Sequence, residues 1–194
     1  MGTKGDKNRE RILQTANKLI YLRGFNATSF ADIARESGVP KGNLYFYFRT
    51  KDDLLRAVVQ DRAQRFRALL ERWERDIPDP RARLERYAEV PLRDGAEVVR
   101  YGCPMGSLAA ELGKQQLELK DEVKVMFEVA LDWCERQLRA AGKTPDEART
   151  IARALLVRLQ GAAVMSQTFH DATWHEEAIA DVKAWLESTL GSVA

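Results

Sequence analysis

Residues 30–49 read FADIARESGVPKGNLYFYFR, and their spacing of small, apolar and polar residues is typical of a helix-turn-helix. A helix-turn-helix packs two short helices at a steep angle across a short turn. Ala34 is small enough for the second helix to cross closely over the first, and Gly38, four residues later, has the backbone freedom that the turn requires. We therefore predict one helix over 29–37 and a second over 40–47.

The second of these helices is predicted to have a polar and aromatic exposed side. Pro40 suits its first position, where a missing N–H costs nothing. The exposed residues are expected to be Lys41, Gly42, Asn43, Tyr45 and Tyr47. Lysine contacts phosphate or guanine, asparagine reads adenine, and glycine lets the backbone approach closely. An ordinary pair of antiparallel helices gives the same alanine-to-glycine spacing, so the spacing alone leaves both interpretations open.

The charge of the chain is unevenly distributed. The net charge of the 194 residues is only +2. Residues 1–51 nevertheless carry ten lysines and arginines against four acidic residues, whereas residues 52–194 carry 21 against 25. A basic segment on an acidic body indicates that the N-terminal segment binds a polyanion. This asymmetry, together with the polar and aromatic helix, favours DNA binding over a plain helical hairpin.

Helix signals extend over nearly the whole chain, and no stretch shows a sustained alternation of apolar and polar residues. Helix starts are predicted where a capping residue precedes an apolar stripe of period 3.6, at Asp6, Thr50, Asp79-Pro80, Thr144-Pro145 and Thr173. The helix after Thr50 is long, and Gly142 is predicted to end another. The predicted fold class is all-α.

Composition excludes several classes of protein. Apolar residues make up 45% and charged residues 31%, which is ordinary for a soluble domain and excludes a disordered chain, a collagen-like fibre and a polytopic membrane protein. No stretch approaches the roughly 18 uncharged apolar residues of a membrane span. The N-terminal sequence MGTKGDKNRER has no apolar core, so we expect no signal peptide and a cytoplasmic protein.

The sequence contains no catalytic motif: it has no glycine-rich phosphate loop, no Gly-x-Ser-x-Gly and no His-Glu-x-x-His. Cys103 and Cys134 form neither a disulfide framework nor a zinc spacing. His170 and His175, five residues apart, do not share a helix face, so we expect surface or capping roles. We predict a protein that is not an enzyme and needs no cofactor or metal. The alternatives are a thiol enzyme that uses Cys103 and a helical protein-interaction module.

The segment from Arg11 to Leu55 resembles the N-terminal domain of the TetR family of bacterial transcriptional regulators. The resemblance is carried by ILQTANKLIYLRGFNATSFADIA, by the turn ESGVPKGNLYFYF and by RTKDDLL. It implies an all-helical homodimeric repressor with a helix-turn-helix DNA-binding domain over 1–50 and a helical effector-binding and dimerisation domain over 51–194. Matched residue by residue, it implies DNA contacts by Thr28, Ser29, Lys41, Gly42, Asn43, Tyr45, Tyr47 and Lys51.

The least regular stretch of the chain is 91–106, with three glycines and two prolines, and we expect an effector to act near its end. The candidate pocket residues are Tyr101, Cys103, Met105, Met126, Phe127, Trp133, Met165 and Phe169. These residues include no cluster of fixed charges, so the expected ligand is a small, mostly apolar or aromatic molecule. Its binding is expected to shift the long helix over 51–76 and to lower DNA affinity.

Cys103 has two interpretations. The Gly-Cys at this point resembles that of TetR-family members that sense electrophiles or oxidants through the thiol, and a thiol at a helix start has its thiolate favoured. The alternative is a small side chain that fills space at a tight turn. Cys134 lies on an apolar helical stripe and is expected in the core.

A two-fold dimer is predicted from the helices at 145–169 and 174–189. The residues expected to form it are Leu155, Leu159, Gly161, Ala162, Ala163, Ile179, Val182, Trp185 and Leu186. Two helices from each subunit make a four-helix bundle, and its symmetry matches a palindromic operator. The two recognition helices are then expected to enter successive major grooves, roughly 34–36 Å apart.

Overall fold

The computed structural model describes residues 4–90, 95–115 and 117–191, and every regular element in these ranges is an α-helix. In chain order the helices are α1 (Lys4–Arg23), α2 (Phe30–Ser37), α3 (Lys41–Tyr47), α4 (Lys51–Asp76), α5 (Pro80–Ala88), α6 (Gly95–Tyr101), α7 (Pro104–Gln115), α8 (Leu117–Ala140), α9 (Pro145–Phe169) and α10 (Thr173–Leu190). The prediction of an all-α chain is confirmed. Residues 91–94 of the irregular stretch lie outside the described residues.

Side-chain caps begin several helices where the sequence predicted them. The Thr50 amide donates to the Asp53 carboxylate and the Asp53 amide to the Thr50 hydroxyl, each at 3.0 Å. Thr144 and Glu147 form the same reciprocal pair, followed by proline at the first helical position. Asp79 caps α5 by accepting two backbone N–H groups. Because such a cap contributes about 1 kcal/mol, these residues fix where the helices start.

Three predicted helix starts were misplaced. Asp6 lies inside the first turn of α1 and does not precede it. Pro40 has extended backbone, so α3 begins at Lys41. Thr173 does not cap α10: its amide and hydroxyl donate to the Asp171 carboxylate at 2.9 and 2.8 Å. An aspartate two residues upstream offers a local turn that competes with the capping box.

The first of two compact units contains α1 to α3, α4 as far as Gln64, and the chain from Ser107 to Met126. In this unit α2 packs against both α1 and α3. Its core includes the apolar stripe of α1 together with residues of α2 to α4 and of the loops between them: Ile12, Leu13, Ala16, Leu19, Ile20, Phe25, Ile33, Val39, Leu44, Phe48, Leu54, Leu55 and Val58.

The second unit contains α4 from Arg65, α5, α6, the chain as far as Gly106, and the chain from Phe127 onwards. Here α9 packs against α6 and α10, and α10 packs against α5. Three helices contribute residues to both units, which is why this division differs from the boundary predicted between residues 50 and 51. That boundary remains a prediction about where the DNA-binding function ends.

The turn between α2 and α3 depends on Gly38. Its φ of 67° lies in the left-handed region, and its amide donates to the Ala34 carbonyl at 3.0 Å, so it ends α2. A Cβ built there would lie 3.1 Å from the guanidinium of Arg11. Gly42 in α3 differs, because a Cβ there would meet nothing within 4 Å and its φ is not positive.

Gly38→Ala is therefore expected to lower the free energy of unfolding by about 1–2 kcal/mol, the cost of left-handed backbone for an L-residue. The matched control is Gly42→Ala, which should change stability by no more than about 0.5 kcal/mol, since Gly42 is exposed in the first turn of α3 and its φ is not positive. Urea unfolding followed by circular dichroism measures both. Equal effects of the two substitutions would contradict the turn described here.

Candidate nucleic-acid interface

Helix α3 turns one apolar residue inward and its polar residues outward. Leu44 is completely buried, whereas Lys41, Gly42 and Asn43 are exposed. Tyr45 is 50% exposed and its ring meets the Phe30 ring edge-on, with centroids 5.0 Å apart. The exposed side predicted for this helix is therefore the side that the structure presents, except that Tyr47 is half-buried.

Phe46 was not among the residues of α3 that were predicted to be exposed. Its side chain is 84% exposed, and its ring meets the Tyr47 ring edge-on at a centroid distance of 5.3 Å. A helix of seven residues is too short for the periodicity of its sequence to assign each residue to a face. A phenylalanine is then expected in the core, because most phenylalanines are buried.

Ser29 caps α2 at the edge of the same surface. Its hydroxyl accepts the Asp32 amide, and the Asp32 side chain accepts the Ser29 amide in return. Hydrogen bonds from Ser29, and then from Arg35, hold the pKa of Asp32 well below its usual range. The acid therefore stays ionised and keeps the helix start in place at any pH near neutrality.

A basic depression of about 370 Å³ lies between the start of α2 and the ends of α3. Its lining residues come from the α1–α2 loop, α3 and the start of α4: Asn26, Ala27, Thr28, Ser29, Phe30, Ala31, Lys41, Tyr45, Arg49, Thr50 and Lys51. Three cations and the positive end of a helix dipole meet here. Such a combination favours a phosphate group.

Lys51 is held against the loop that precedes α2. Its Nζ donates to the Asn26 carbonyl at 3.2 Å and lies 4.4 Å from the centre of the Phe25 ring. Partial burial lowers its pKa, while the negative charges of Glu111 and Asp52 act in the opposite direction. A lysine ammonium carries three donors, so this anchored group has capacity for a phosphate oxygen as well.

Glu111 on α7 binds backbone amides of the same loop. Its two carboxylate oxygens accept the amides of Phe25 at 2.8 Å and Asn26 at 2.7 Å. Glu111 was not predicted from the sequence, because its partners lie more than 80 residues away and no local pattern marks the pairing. Glu111 fixes the loop to which Lys51 also donates.

Thr28 occupies a different position from the other predicted contact residues. Its side chain is 1% exposed, and its hydroxyl donates to the Gly24 carbonyl at 2.7 Å. In this conformation Thr28 holds the α1–α2 turn together and directs its hydroxyl into the protein. Ser29, one residue later, is exposed and carries the cap.

The candidate pocket residues are distributed over both units. Tyr101, Met105 and Phe127 are half-buried, and Trp133 is fully buried, all in the second unit. Met126 is buried in the first unit. Met165 and Phe169 lie on the exposed side of α9, and the Phe169 ring stacks on Trp174 at 5.3 Å.

Trp133 is the centre of an aromatic cluster in the second unit. Its ring contacts Trp73 and Tyr87 at centroid distances of 6.1 and 5.8 Å, and Phe66 lies 6.4 Å from Tyr87. Its indole N–H is buried and has no hydrogen-bond partner among the described residues. A donor left unpaired in an apolar site costs about 1–3 kcal/mol, which a ligand's acceptor could recover. The sequence predicted Trp133 but not its three aromatic neighbours.

The two cysteines have different surroundings. Cys134 is buried, as predicted, and burial raises the pKa of its thiol far above the ordinary value. Cys103 is half-buried just before α7, and its sulfur accepts a hydrogen bond from the Gln160 side chain at 3.4 Å. A Cβ built at Gly106 would lie only 2.6 Å from the side-chain oxygen of Gln160. Glycine at this position therefore leaves room for Gln160 beside the thiol.

The histidines occupy a helix end and the core. His170 ends α9 in left-handed backbone with φ 53°, the capping role that was expected. His175 was expected at the surface or in a cap, but it is 2% exposed, and burial lowers its pKa. Among the described residues, no cluster of His, Cys, Asp or Glu is placed to hold a metal ion. Within the same ranges no helix has the length and apolarity that a membrane crossing requires.

Helix α9 has two apolar faces, and most of the residues predicted to form the dimer lie on the face that is buried within the subunit. Leu155, Leu159, Ala162 and Ala163 are at most 7% exposed, and so are Ile179, Val182 and Leu186 on α10. They already pack within one subunit. The opposite face of α9 carries Val157 at 71% exposure, Val164 at 59%, and exposed Gly161 between them.

Comparison with known proteins agrees with this architecture. The model of the bacterial regulatory proteins of the tetR family matches residues 12–58, and that of the LmrA/YxaF-like C-terminal domain matches residues 92–179. The chain is 28% identical over 176 residues to YxaF, an uncharacterized helix-turn-helix regulator of Bacillus subtilis, covering 89% of this chain and 91% of that protein. It is 26% identical to the regulator LmrA of the same organism, covering 86% and 89%. A TetR-family regulator from Agrobacterium tumefaciens superposes with a TM-score of 0.82 at 25% identity, covering 94% and 98%.

The helix-turn-helix, its basic surface and these matches define the chain as a helix-turn-helix transcriptional regulator. It belongs to the TetR family, and the resemblance seen over Arg11–Leu55 is thereby confirmed and extended to the C-terminal helices. The names of its relatives support a role in regulation, rather than catalysis, at the level of the family.

Proposed function

We propose that this protein is a repressor that binds a palindromic operator as a homodimer and is released by a small apolar or aromatic effector. The observation that carries the proposal is the exposed side of α3 beside the basic depression. An exposed polar helix with cations at its flanks matches a major groove bordered by phosphates.

The proposed DNA contacts divide into those that position the protein and those that read bases. Ser29, Lys51 and the two tyrosine hydroxyls of α3 are assigned to phosphates, because they border the depression or flank the helix. Lys41 and Asn43 are assigned to base edges, and Gly42 to close approach. Thr28 supports the turn from within and is assigned no direct contact by its hydroxyl.

The proposed dimer uses the outer face of α9. Val157, Gly161 and Val164 are spaced four and three residues apart and therefore form one stripe. Exposed Ala180 and Ala184 form a small-residue stripe on α10. Two such helices from each subunit can pack closely as a four-helix bundle, and its two-fold symmetry presents two copies of α3 to the two halves of a palindrome.

The proposed effector site is the aromatic cluster around Trp133. Its apolar rings suit an aromatic ligand, and the unpaired indole N–H suits a ligand with one hydrogen-bond acceptor. Helix α7 could transmit the effect of the ligand to the DNA-binding residues. It starts beside Cys103, and its Glu111 accepts a backbone amide of the loop before α2. A ligand that prefers the non-binding arrangement by about 1–3 kcal/mol is enough to release the operator.

The alternative regulator acts through Cys103. The thiol is accessible in part and lies directly before a helix, so covalent modification by an electrophile or oxidant could displace the start of α7. This version needs no reversible pocket. It differs from the first in its dependence on one sulfur atom.

A binding-site selection tests the DNA-binding proposal. The full-length chain is incubated with a pool of duplexes carrying a random central region, and bound duplexes are recovered by mobility shift and sequenced. The expected result is one enriched inverted repeat, bound with an affinity that falls steeply as salt increases. Enrichment of single, unrepeated half-sites would contradict the dimer, and no enrichment at all would contradict sequence-specific binding.

A thermal-shift panel tests the effector proposal. An aromatic compound with one acceptor, at a hundred-fold excess over its Kd, should raise the Tm by about 5–10 °C and release operator DNA. Trp133→Phe removes the unpaired N–H and should weaken binding of such compounds while leaving operator affinity unchanged. Cys103→Ser should keep this response and lose only a response to N-ethylmaleimide. If Cys103→Ser abolishes every response, the alternative replaces the reversible pocket.

A further inference from the structure

Phe46 is the most exposed of the large hydrophobic side chains that the structure describes, at 84%. It lies one turn after Gly42 on the helix that is proposed to enter the DNA. A phenylalanine ring in this position is not needed for folding, since its described ring contact is with the neighbouring Tyr47 alone.

The position of Phe46 around the helix axis can be measured from Leu44, which marks the direction of the core. At about 100° per residue, Gly42 and Phe46 lie roughly 160° and 200° from Leu44. They therefore form the crest of α3, the line farthest from the protein. Asn43 and Tyr45 lie on either side of this crest.

The crest is apolar although its surroundings are basic. Lys41, Tyr45 and Arg49 line the basic depression, whereas Phe46 is not part of it. When flanking cations contact the phosphates on the border of a groove, the crest of the helix faces the base edges. The space around Gly42 is open, because a Cβ built there would meet no other atom of the protein within 4 Å. The protein itself therefore does not obstruct this approach.

Major-groove base edges offer one prominent apolar group, the C5-methyl of thymine. We propose that Phe46 is a specificity-determining residue that contacts a thymine C5-methyl in each half of the operator. This inference rests on the proposed operator binding and adds to it the base and the atom that the ring reads. Gly42 contributes by allowing the helix to lie deep enough for the contact.

The test uses the duplex that the wild-type chain selects from a random pool. Each thymine is replaced in turn by 2′-deoxyuridine, which removes only the C5-methyl, and affinity is measured by fluorescence anisotropy. For the wild type, one symmetric pair of replacements should weaken binding by about four-fold per half-site, the value of one buried methyl group. Phe46→Ala should show no loss at that pair, and Phe46→Leu should retain part of it.

The outcomes separate this inference from the proposal beneath it. A flat deoxyuridine scan in the wild type overturns the thymine contact, as does an unchanged penalty in Phe46→Ala. Failure to select any duplex overturns operator binding itself. Because the side chain is almost fully exposed, both variants should keep the wild-type Tm, and that measurement excludes misfolding as the cause of a lost penalty.

Discussion

Val164→Glu should convert the proposed dimer into a monomer and lower its affinity for a complete operator by about 10²–10⁴-fold, the gain that bivalent binding usually provides. Val164 is 59% exposed on the outer face of α9, between Gly161 and the end of the helix. In a two-fold bundle the two new carboxylates would be brought close together in an apolar contact, where desolvation and repulsion both oppose association.

Sedimentation equilibrium measures the subunit association, and anisotropy titrations with full and half operators measure DNA binding. Half-operator affinity should stay unchanged, which shows that the monomer is folded. Ala68→Glu is the matched control, because it places the same charge at an exposed position of a different helix, α4. A monomeric Val164→Glu protein with full operator affinity would contradict the dimeric model of binding.

The sequence predicted those parts of the fold that depend on local signals. The apolar stripe of α1 is buried as its 3.6-residue period required, and the caps at Thr50 and Thr144 have their expected partners. Each of these features depends on residues within one or two helical turns. Local spacing is therefore sufficient evidence for them.

The face of α9 that stays exposed could not be read in the same way. Leu155 and Leu159 lie on one side of the helix, and Val157 and Val164 lie on the other, so both sides look apolar in the sequence. The contacts with α6 and α10 decide which side is buried. Those helices come from different parts of the chain, and periodicity gives no information about which of them lies next to α9.

The missed residues of the candidate site have the same explanation. The position of Glu111 depends on the α1–α2 loop, which is distant in sequence, and the exposure of Phe46 depends on how α3 leans on α2. The burial of Thr28, which the family resemblance implies to be a DNA contact, depends on a backbone carbonyl four residues earlier that accepts its hydroxyl. Tertiary packing and competing hydrogen bonds decide these cases.

Asn43→Ala should remove the preference for adenine at one position of each half-site. The side chain is exposed beside the crest of α3, and its backbone amide already donates to the Pro40 carbonyl at 2.8 Å, so the helix does not need the carboxamide. An asparagine paired with the N6 and N7 of adenine contributes about 1–3 kcal/mol of discrimination. Because the dimer carries the substitution twice, a symmetric operator should lose about twice that amount.

Lys51→Ala is the comparison that gives this result its meaning. It should weaken binding to all duplexes alike and reduce the slope of log affinity against log salt by about 2, since two phosphate contacts per dimer are lost. Asn43→Ala should leave the salt slope unchanged and flatten one column of the selected sequence logo. If Asn43→Ala also weakens every sequence equally, the carboxamide contacts the DNA backbone, and base reading by α3 must then rest on Lys41 and the residues of its crest.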